Sequence, residues 1–177
     1  MRKKIVKFIL ELTLLIAVLI SLFIGIVYIG GFGPIPSTRK LAQMQQAQAS
    51  VVYSEDQQVL GRYFHKNRTQ VRFKDIPKHL IEALVATEDA RFYEHDGIDK
   101  IALARVFIKT ILMGNRAAGG GSTLSQQLAK NLFQRKNFAF LSMPVNKTKE
   151  AILAHRLESY YSKEEILTLY LNTAPFG

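Results

Sequence analysis

From Leu12 to Thr38 the sequence contains not one charged residue, and no other feature constrains this chain more. Leu12 to Ile29 reads LTLLIAVLISLFIGIVYI. At about 1.5 Å of rise per residue, and with Gly30–Phe32 added, it covers roughly the 30 Å of a bilayer's hydrocarbon core. A membrane-spanning helix is expected. A cleaved signal peptide is the competing reading, but the run exceeds an h-region of about 7–15 residues and no A-x-A-like site follows it. Arg2, Lys3, Lys4 and Lys7 precede the run against Glu11 alone. The positive-inside bias therefore keeps the N-terminus in the cytoplasm and exports the rest.

The chain divides accordingly. Residues 1–11 form a cytoplasmic basic stub, 12–32 the transmembrane anchor, 33–50 a hinge with a juxtamembrane helix, and 51–177 one folded domain. The 177 residues hold no cysteine, which excludes a disulfide framework, a zinc–thiolate site and a catalytic thiol. With four of the 24 basic and one of the 14 acidic residues in the stub, the remainder keeps 20 basic against 13 acidic residues, an excess of +7. A basic exported domain tethered to a bilayer points to lipid headgroups, a phosphorylated lipid or an anionic wall polymer as neighbours. No helix-turn-helix, finger or ribonucleoprotein motif argues for nucleic acid.

Beyond the breaker-rich Gly30–Pro36, Ser37 is positioned to cap a polar helix to about Ala49. Val51–Tyr53 and Val59–Phe64 read as a small hairpin, and the basic stretch Arg62, Lys66, Arg68, Arg72, Lys74 and Lys78 as a solvated face. Five helices follow. One starts near Pro77, one is capped by Asp99 and closed by Gly114, and one opens at Thr123. A fourth runs from Lys147 to Tyr161, and the last begins at the Ser162–Glu165 capping box. Ile101–Met113 is apolar nearly all round, so it is either a buried central helix, the commoner case, or a surface that dips into lipid.

At about 100° per residue, Leu80, Ile81, Leu84 and Val85 form one apolar arc with Glu88 near its middle and Glu82 outside it. A carboxylate ending such a stripe is costly to bury unless it is paired or opens into a cleft; the alternative is a terminal Glu reaching solvent. The same rotation puts Glu150 with Leu153, Leu157 and Tyr161, and Lys149 and Arg156 elsewhere. Two acids in different environments suit glycosyl chemistry. Between them, Gly119–Thr123 feeds a helix N-terminus, whose free amides favour a phosphate. Thr123, Gln126, Gln127 and Lys130 then make a polar face opposite Leu124, Leu128 and Leu132. It is either a solvated stripe or a set of donors for hydroxyl and phosphate oxygens, with Arg135, Lys136, Lys147 and Lys149 adding cations.

These residues carry a resemblance. Glu88–Gly97, EDARFYEHDG, resembles the EDxxFxxHxG signature of the peptidoglycan glycosyltransferases, the lysozyme-like domain of monofunctional transglycosylases and class A penicillin-binding proteins (glycosyltransferase family fifty-one). Gly121–Gln127 with Lys130-Asn131 is similar to GSTxTQQ and its KN. Lys147–Glu150 with Ala154 and Leu157-Glu158 is similar to RKxxExxxAxxLE, and Lys163–Asn172 to KxxILxxYLN. Ser125 stands where that family has a second Thr, and Asn146 where it has Arg. Family domains continue past the position of Phe176-Gly177, so the resemblance implies a domain incomplete at its C-terminus.

The resemblance implies a mainly α, lysozyme-like fold with a small β-hairpin behind one transmembrane helix, at the outer face of a bacterial cytoplasmic membrane. It implies polymerisation of lipid II into β-1,4-linked glycan strands, with Glu88 as general base. Glu150 would stabilise the donor phosphates, through a divalent cation (Mg or Mn) or by orienting Lys149. Lys130 and Lys149, with Lys147, would hold the pyrophosphate; Gly121, Ser122, Thr123, Gln126 and Gln127 would position it; and Phe92 and His95 would shape the substrate cleft. No organic cofactor is implied. Partners would be lipid II, the nascent strand, the bilayer and other cell-wall synthesis proteins. The competing readings are a lysozyme-like glycan-cleaving enzyme and a catalytically silent, membrane-tethered wall-binding module.

Overall fold

The computed structural model describes residues 2–42, 50–63, 70–112 and 120–174. Helix α1 is Arg2–Tyr28, and it is long and apolar enough to cross a membrane, with its spanning window entirely unburied by the rest of the chain. It starts within the basic stub, where Lys7 and Glu11 face each other one turn apart, and ends before Gly30. A turn follows, closed by the Gly33 amide donating to the Gly30 carbonyl. Helix α2, Thr38–Ala42, is the described part of the expected juxtamembrane helix; residues 43–49 lie outside the described residues.

Strands β1, Ser50–Tyr53, and β2, Val59–Tyr63, pair antiparallel, with the register shifting between Val52 and Tyr53. The intervening turn is tied by the Ser54 hydroxyl, which donates to Asp56 and accepts from the Gln58 amide. Phe64, Lys66 and Arg68 fall outside the described residues. Val71 exchanges two backbone hydrogen bonds with the Asn172 side chain, both 2.9 Å, docking the segment after the hairpin on the last helix.

The remaining helices are α3 Lys78–Glu88, α4 Lys100–Leu112, α5 Leu124–Leu132, α6 Ser142–Glu158 and α7 Lys163–Thr173. Three of their N-terminal caps are the ones the sequence predicts, while Gly114, expected to close α4, lies outside the described residues. Asp99 accepts from the Ile101 and Ala102 amides, and Thr123–Gln126 and Ser162–Glu165 both form reciprocal capping boxes. Helix α6 begins five residues earlier than Lys147, because Pro144 falls in its first turn, where a missing N–H leaves no bond unmade.

The short helix α5 is the centre of the core. Leu124, Ser125, Leu128 and Ala129 are fully buried, packing against Leu153, Ala154 and Leu157 of α6 and Ile166, Leu167 and Tyr170 of α7. Burial of α4, the favoured expectation, is overturned. Ile101, Leu103, Phe107 and Ile108 are exposed and only Ala102 is buried among the side chains described there. An all-apolar helix reads identically whether protein or another apolar phase covers it, so composition could not separate the two.

Candidate active site

Glu88 is the last residue of α3. Ile81, Leu84 and Val85 pack partly against the core, while the Glu88 carboxylate is exposed at the edge of a cavity. It is nonetheless oriented. The Gln127 side-chain amide donates to Glu88 Oε2 at 2.8 Å, and the Tyr170 hydroxyl donates to Gln127 Oε1 at 3.2 Å. Burial, reinforced by the Glu88 charge, pushes the Tyr170 phenol above its ordinary value, so it remains a donor.

The next residue, Asp89, is buried and ties three elements together. One oxygen accepts from the Leu124 amide at 2.9 Å, and both lie 3.1 Å from His95 Nε2. A carboxylate only accepts, so Nε2 carries the proton. The start of α5 is therefore fixed to the end of α3, and the glycine loop before α5 is fixed relative to Glu88. Asp99 supports the same corner. Burial favours its neutral form, but the Ala102 and Ile101 amides and Arg91 together hold it below the usual carboxylate range.

The cavity beside Glu88, about 230 Å³, is walled by Arg91, Asp99, Arg105 and the loop Gly120–Thr123. On the other side of Gly121-Ser122 lies a larger apolar space of about 550 Å³, lined by Leu103, Ala151 and Ile152 and by Ile24 and Tyr28 of α1. The loop stands between the two. Ser122 accepts from Lys147 Nζ at 3.0 Å, and the Thr123 hydroxyl donates to the Gly97 carbonyl at 2.7 Å.

Glu150 is buried. Its Oε1 accepts from Arg135 Nε at 2.7 Å, which holds the guanidinium even more firmly protonated, and Lys147 Nζ lies 3.0 Å from Oε2, out of line for a hydrogen bond. One acid with two bases leaves a net positive cluster that suits an anion. It does not fit the expected divalent cation, because both bases would repel one and no group of three acidic or histidine side chains gathers among the described residues.

The predicted residues thus separate. Glu88, Gly121, Ser122, Thr123, Gln126 and Lys147 line the two cavities, and Gln127 joins them through its bond to Glu88. Thr123 and Gln126 are buried as the capping pair of α5, and Lys130 is exposed. Phe92 is completely buried, with Lys163 Nζ 4.4 Å from its ring centre, and the His95 side chain is buried against Asp89. Both side chains are buried behind the cleft. Lys149 turns away from the loop to the hinge, where its ammonium donates to the Phe32 and Gly33 carbonyls. Asn146, the departure from Arg, is buried and exchanges hydrogen bonds with the Lys136 backbone. Sequence reasoning passed over Asp89, Tyr170 and Glu158, the last of which accepts from Ser125 and Lys163 beneath the site. All three lie inside the quoted motifs, which were the available signal.

A helical domain behind an apolar helix, with an oriented glutamate facing a glycine loop and a lysine, defines a class that comparison makes specific. The Transglycosylase family model matches residues 41–177. Penicillin-binding protein 1A of Vibrio cholerae is 36% identical over 169 residues, 93% of this chain and 20% of that protein. Penicillin-binding protein 1F of Bacillus subtilis is 40% identical over 155 residues, 88% of the chain and 20% of that protein. Penicillin-binding protein 1A of Aquifex aeolicus is 37% identical over 165 residues, 92% and 22% respectively. The chain belongs to the transglycosylase family, and it spans about a fifth of the length of these relatives.

Proposed function

We propose that the chain is a peptidoglycan glycosyltransferase that extends glycan strands from lipid II at the outer face of a bacterial cytoplasmic membrane. The observation that carries the reading is the Glu88 carboxylate, held by Gln127 at the mouth of a cavity whose facing wall is the Gly120–Thr123 loop. In this reading Glu88 accepts the proton of the acceptor sugar's 4-hydroxyl as its oxygen bonds to the donor's anomeric carbon from the face opposite the leaving group. The bond from that carbon to the lipid pyrophosphate breaks, and inversion gives a β-1,4 link. The leaving group takes the electron pair, and Lys147, Ser122 and the net positive Arg135–Glu150–Lys147 cluster receive the growing charge.

No step requires a metal at Glu150. Glycan cleavage by a lysozyme-like site is the weaker reading, because hydrolysis gives Lys147 and Ser122 no phosphate to hold. A silent wall-binding module gives Gln127 and Tyr170 no reason to orient a carboxylate. The test is incubation of the detergent-solubilised chain with labelled lipid II. Polymer digestible by muramidase, reduced about 10²- to 10⁴-fold or more by Glu88→Gln, is expected. Equal polymer from parent and variant would remove Glu88 from the chemistry, and hydrolysis of finished glycan would favour the lysozyme-like reading.

A further inference from the structure

After the turn that ends the membrane helix, Phe32–Pro36 runs as an irregular segment, and it meets α6. Pro34 and Pro36 have no N–H, and carbonyls in such a segment have no helical or sheet partner of their own. α6 supplies the donors. Lys149 Nζ donates to the carbonyls of Phe32 at 2.7 Å and Gly33 at 3.2 Å. Two turns further on the same helix, Arg156 Nη1 donates to the carbonyls of Pro36 at 2.8 Å and Ile35 at 3.4 Å. Its guanidinium also lies 5.4 Å from the centre of the Tyr28 ring at the end of α1.

Apolar contacts reinforce these bonds. Phe32 packs edge-on against Phe138 and tilted against Phe23, at 5.6 and 6.1 Å between ring centres, and Lys149 sits over Phe138. Val27 is fully buried, and the Tyr161 hydroxyl donates to the carbonyl of the buried Leu41. Gly33 has φ of +95°, a left-handed backbone that favours glycine, and it lies in ordinary contact range of the Lys149 ammonium. The hinge is held from both ends.

α6 also carries Lys147, which reaches Ser122 of the glycine loop, and Glu150, which pairs with Lys147 and lines a cavity beside the hinge with Lys149. We propose that Lys149 and Arg156 are positioning residues that clamp the Phe32–Pro36 hinge to α6, fixing the site's height above the bilayer where a lipid-linked substrate presents its reacting carbon. The purpose given to the clamp rests on the glycosyltransferase reading; the clamp itself does not. It makes the anchor and α6 one lever, whereas a free hinge would let the site sample many heights, each wrong one lowering the fraction of productive encounters.

The test uses the full chain in lipid nanodiscs, with amide hydrogen exchange followed across residues 29–41. Arg156→Met and Lys149→Met are each expected to speed exchange at Gly31 and Gly33 by about tenfold, while Lys147→Met leaves it unchanged. Unchanged exchange in the first two variants overturns the clamp. Polymerisation is then compared on full-length lipid II in vesicles and on a short-chain, water-soluble analogue. Arg156→Met is expected to lose about tenfold on the vesicle substrate alone, chiefly through KM, with partial rescue by Arg156→Lys. An equal loss on both substrates overturns the positioning role. A parent chain that polymerises neither substrate overturns the glycosyltransferase reading, while the exchange result still decides the clamp.

Discussion

Gln127 holds Glu88 at 2.8 Å through an amide whose own oxygen is fixed by Tyr170. A carboxylate on an exposed helix end would otherwise sample several rotamers, and a base must lie within hydrogen-bond reach of the proton it takes. Tyr170→Phe removes the outer bond and leaves the ring in the core. It is expected to lower kcat about tenfold with KM little changed, since one neutral hydrogen bond is worth about 0.5–1.5 kcal/mol. Gln127→Leu should cost more, and the double variant no more than Gln127→Leu alone. Additive losses in steady-state polymerisation assays would break the chain of bonds proposed here.

Lys147 is the cation that meets the glycine loop, through Ser122. Its charge is expected to act on the pyrophosphate of the substrate rather than on the sugar. Lys147→Met should weaken binding of a soluble polyprenyl pyrophosphate analogue by about tenfold or more, the loss expected for a charge-assisted hydrogen bond. Titration calorimetry gives the answer directly. Unaltered affinity would move the phosphate site away from Ser122.

Much of this arrangement was legible in the residues, for identifiable reasons. Caps depend on one side chain reaching an amide two or three residues on, so Asp99, Thr123 and Ser162 declared themselves from local spacing. Glu88 stood out through the EDxxFxxHxG resemblance, because the apolar arc alone left open a terminal Glu reaching solvent, and the carboxylate is indeed exposed. Lys149 was not legible, because rotation about a helix axis says that it leaves the Glu150 face without saying what waits there, and the hinge carbonyls lie more than a hundred residues away. The interior place of His95 follows from Asp89, whose carboxylate joins the end of α3 to the Leu124 amide of α5 and to the turn that carries Phe92 and His95. Periodicity within one helix carries no record of such contacts. For α4 the pattern was read correctly as apolar and wrongly as buried, since hydropathy does not name the covering phase.

Gly97 joins a left-handed φ of +89° to a position where a Cβ would fall 2.7 Å from the Ala154 carbonyl carbon and the His155 nitrogen. Neither neighbour is a side chain that can rotate aside. Gly97→Ala is expected to destabilise the domain by roughly 2–4 kcal/mol and to disturb the Thr123 cap, which donates to the Gly97 carbonyl. Thermal unfolding by circular dichroism measures this, and an unchanged midpoint would contradict the geometry.

Alkaline pH offers a separate check on Tyr170. Burial raises the phenols of both Tyr161 and Tyr170, with the charges of Tyr160 and Glu165 adding to the first and that of Glu88 to the second. Unfolded tyrosine ionises near pH 10. Below that value both phenols are protonated in folded and unfolded chains alike, so the full stability is present. As pH rises beyond it the unfolded chain loses its phenolic protons first, and stability falls progressively through the raised values of the folded state. Tyr170→Phe removes one of the two late-ionising groups. It is expected to lose about 1 kcal/mol at neutral pH with its hydrogen bond to Gln127, yet to retain more of its remaining stability above pH 10 than the parent does. Urea unfolding at pH 7.5 and at pH 10.5 separates the two effects. A parent and variant that lose the same stability between those pH values would mean that Tyr170 ionises like an exposed tyrosine and does not hold Gln127 as a buried donor.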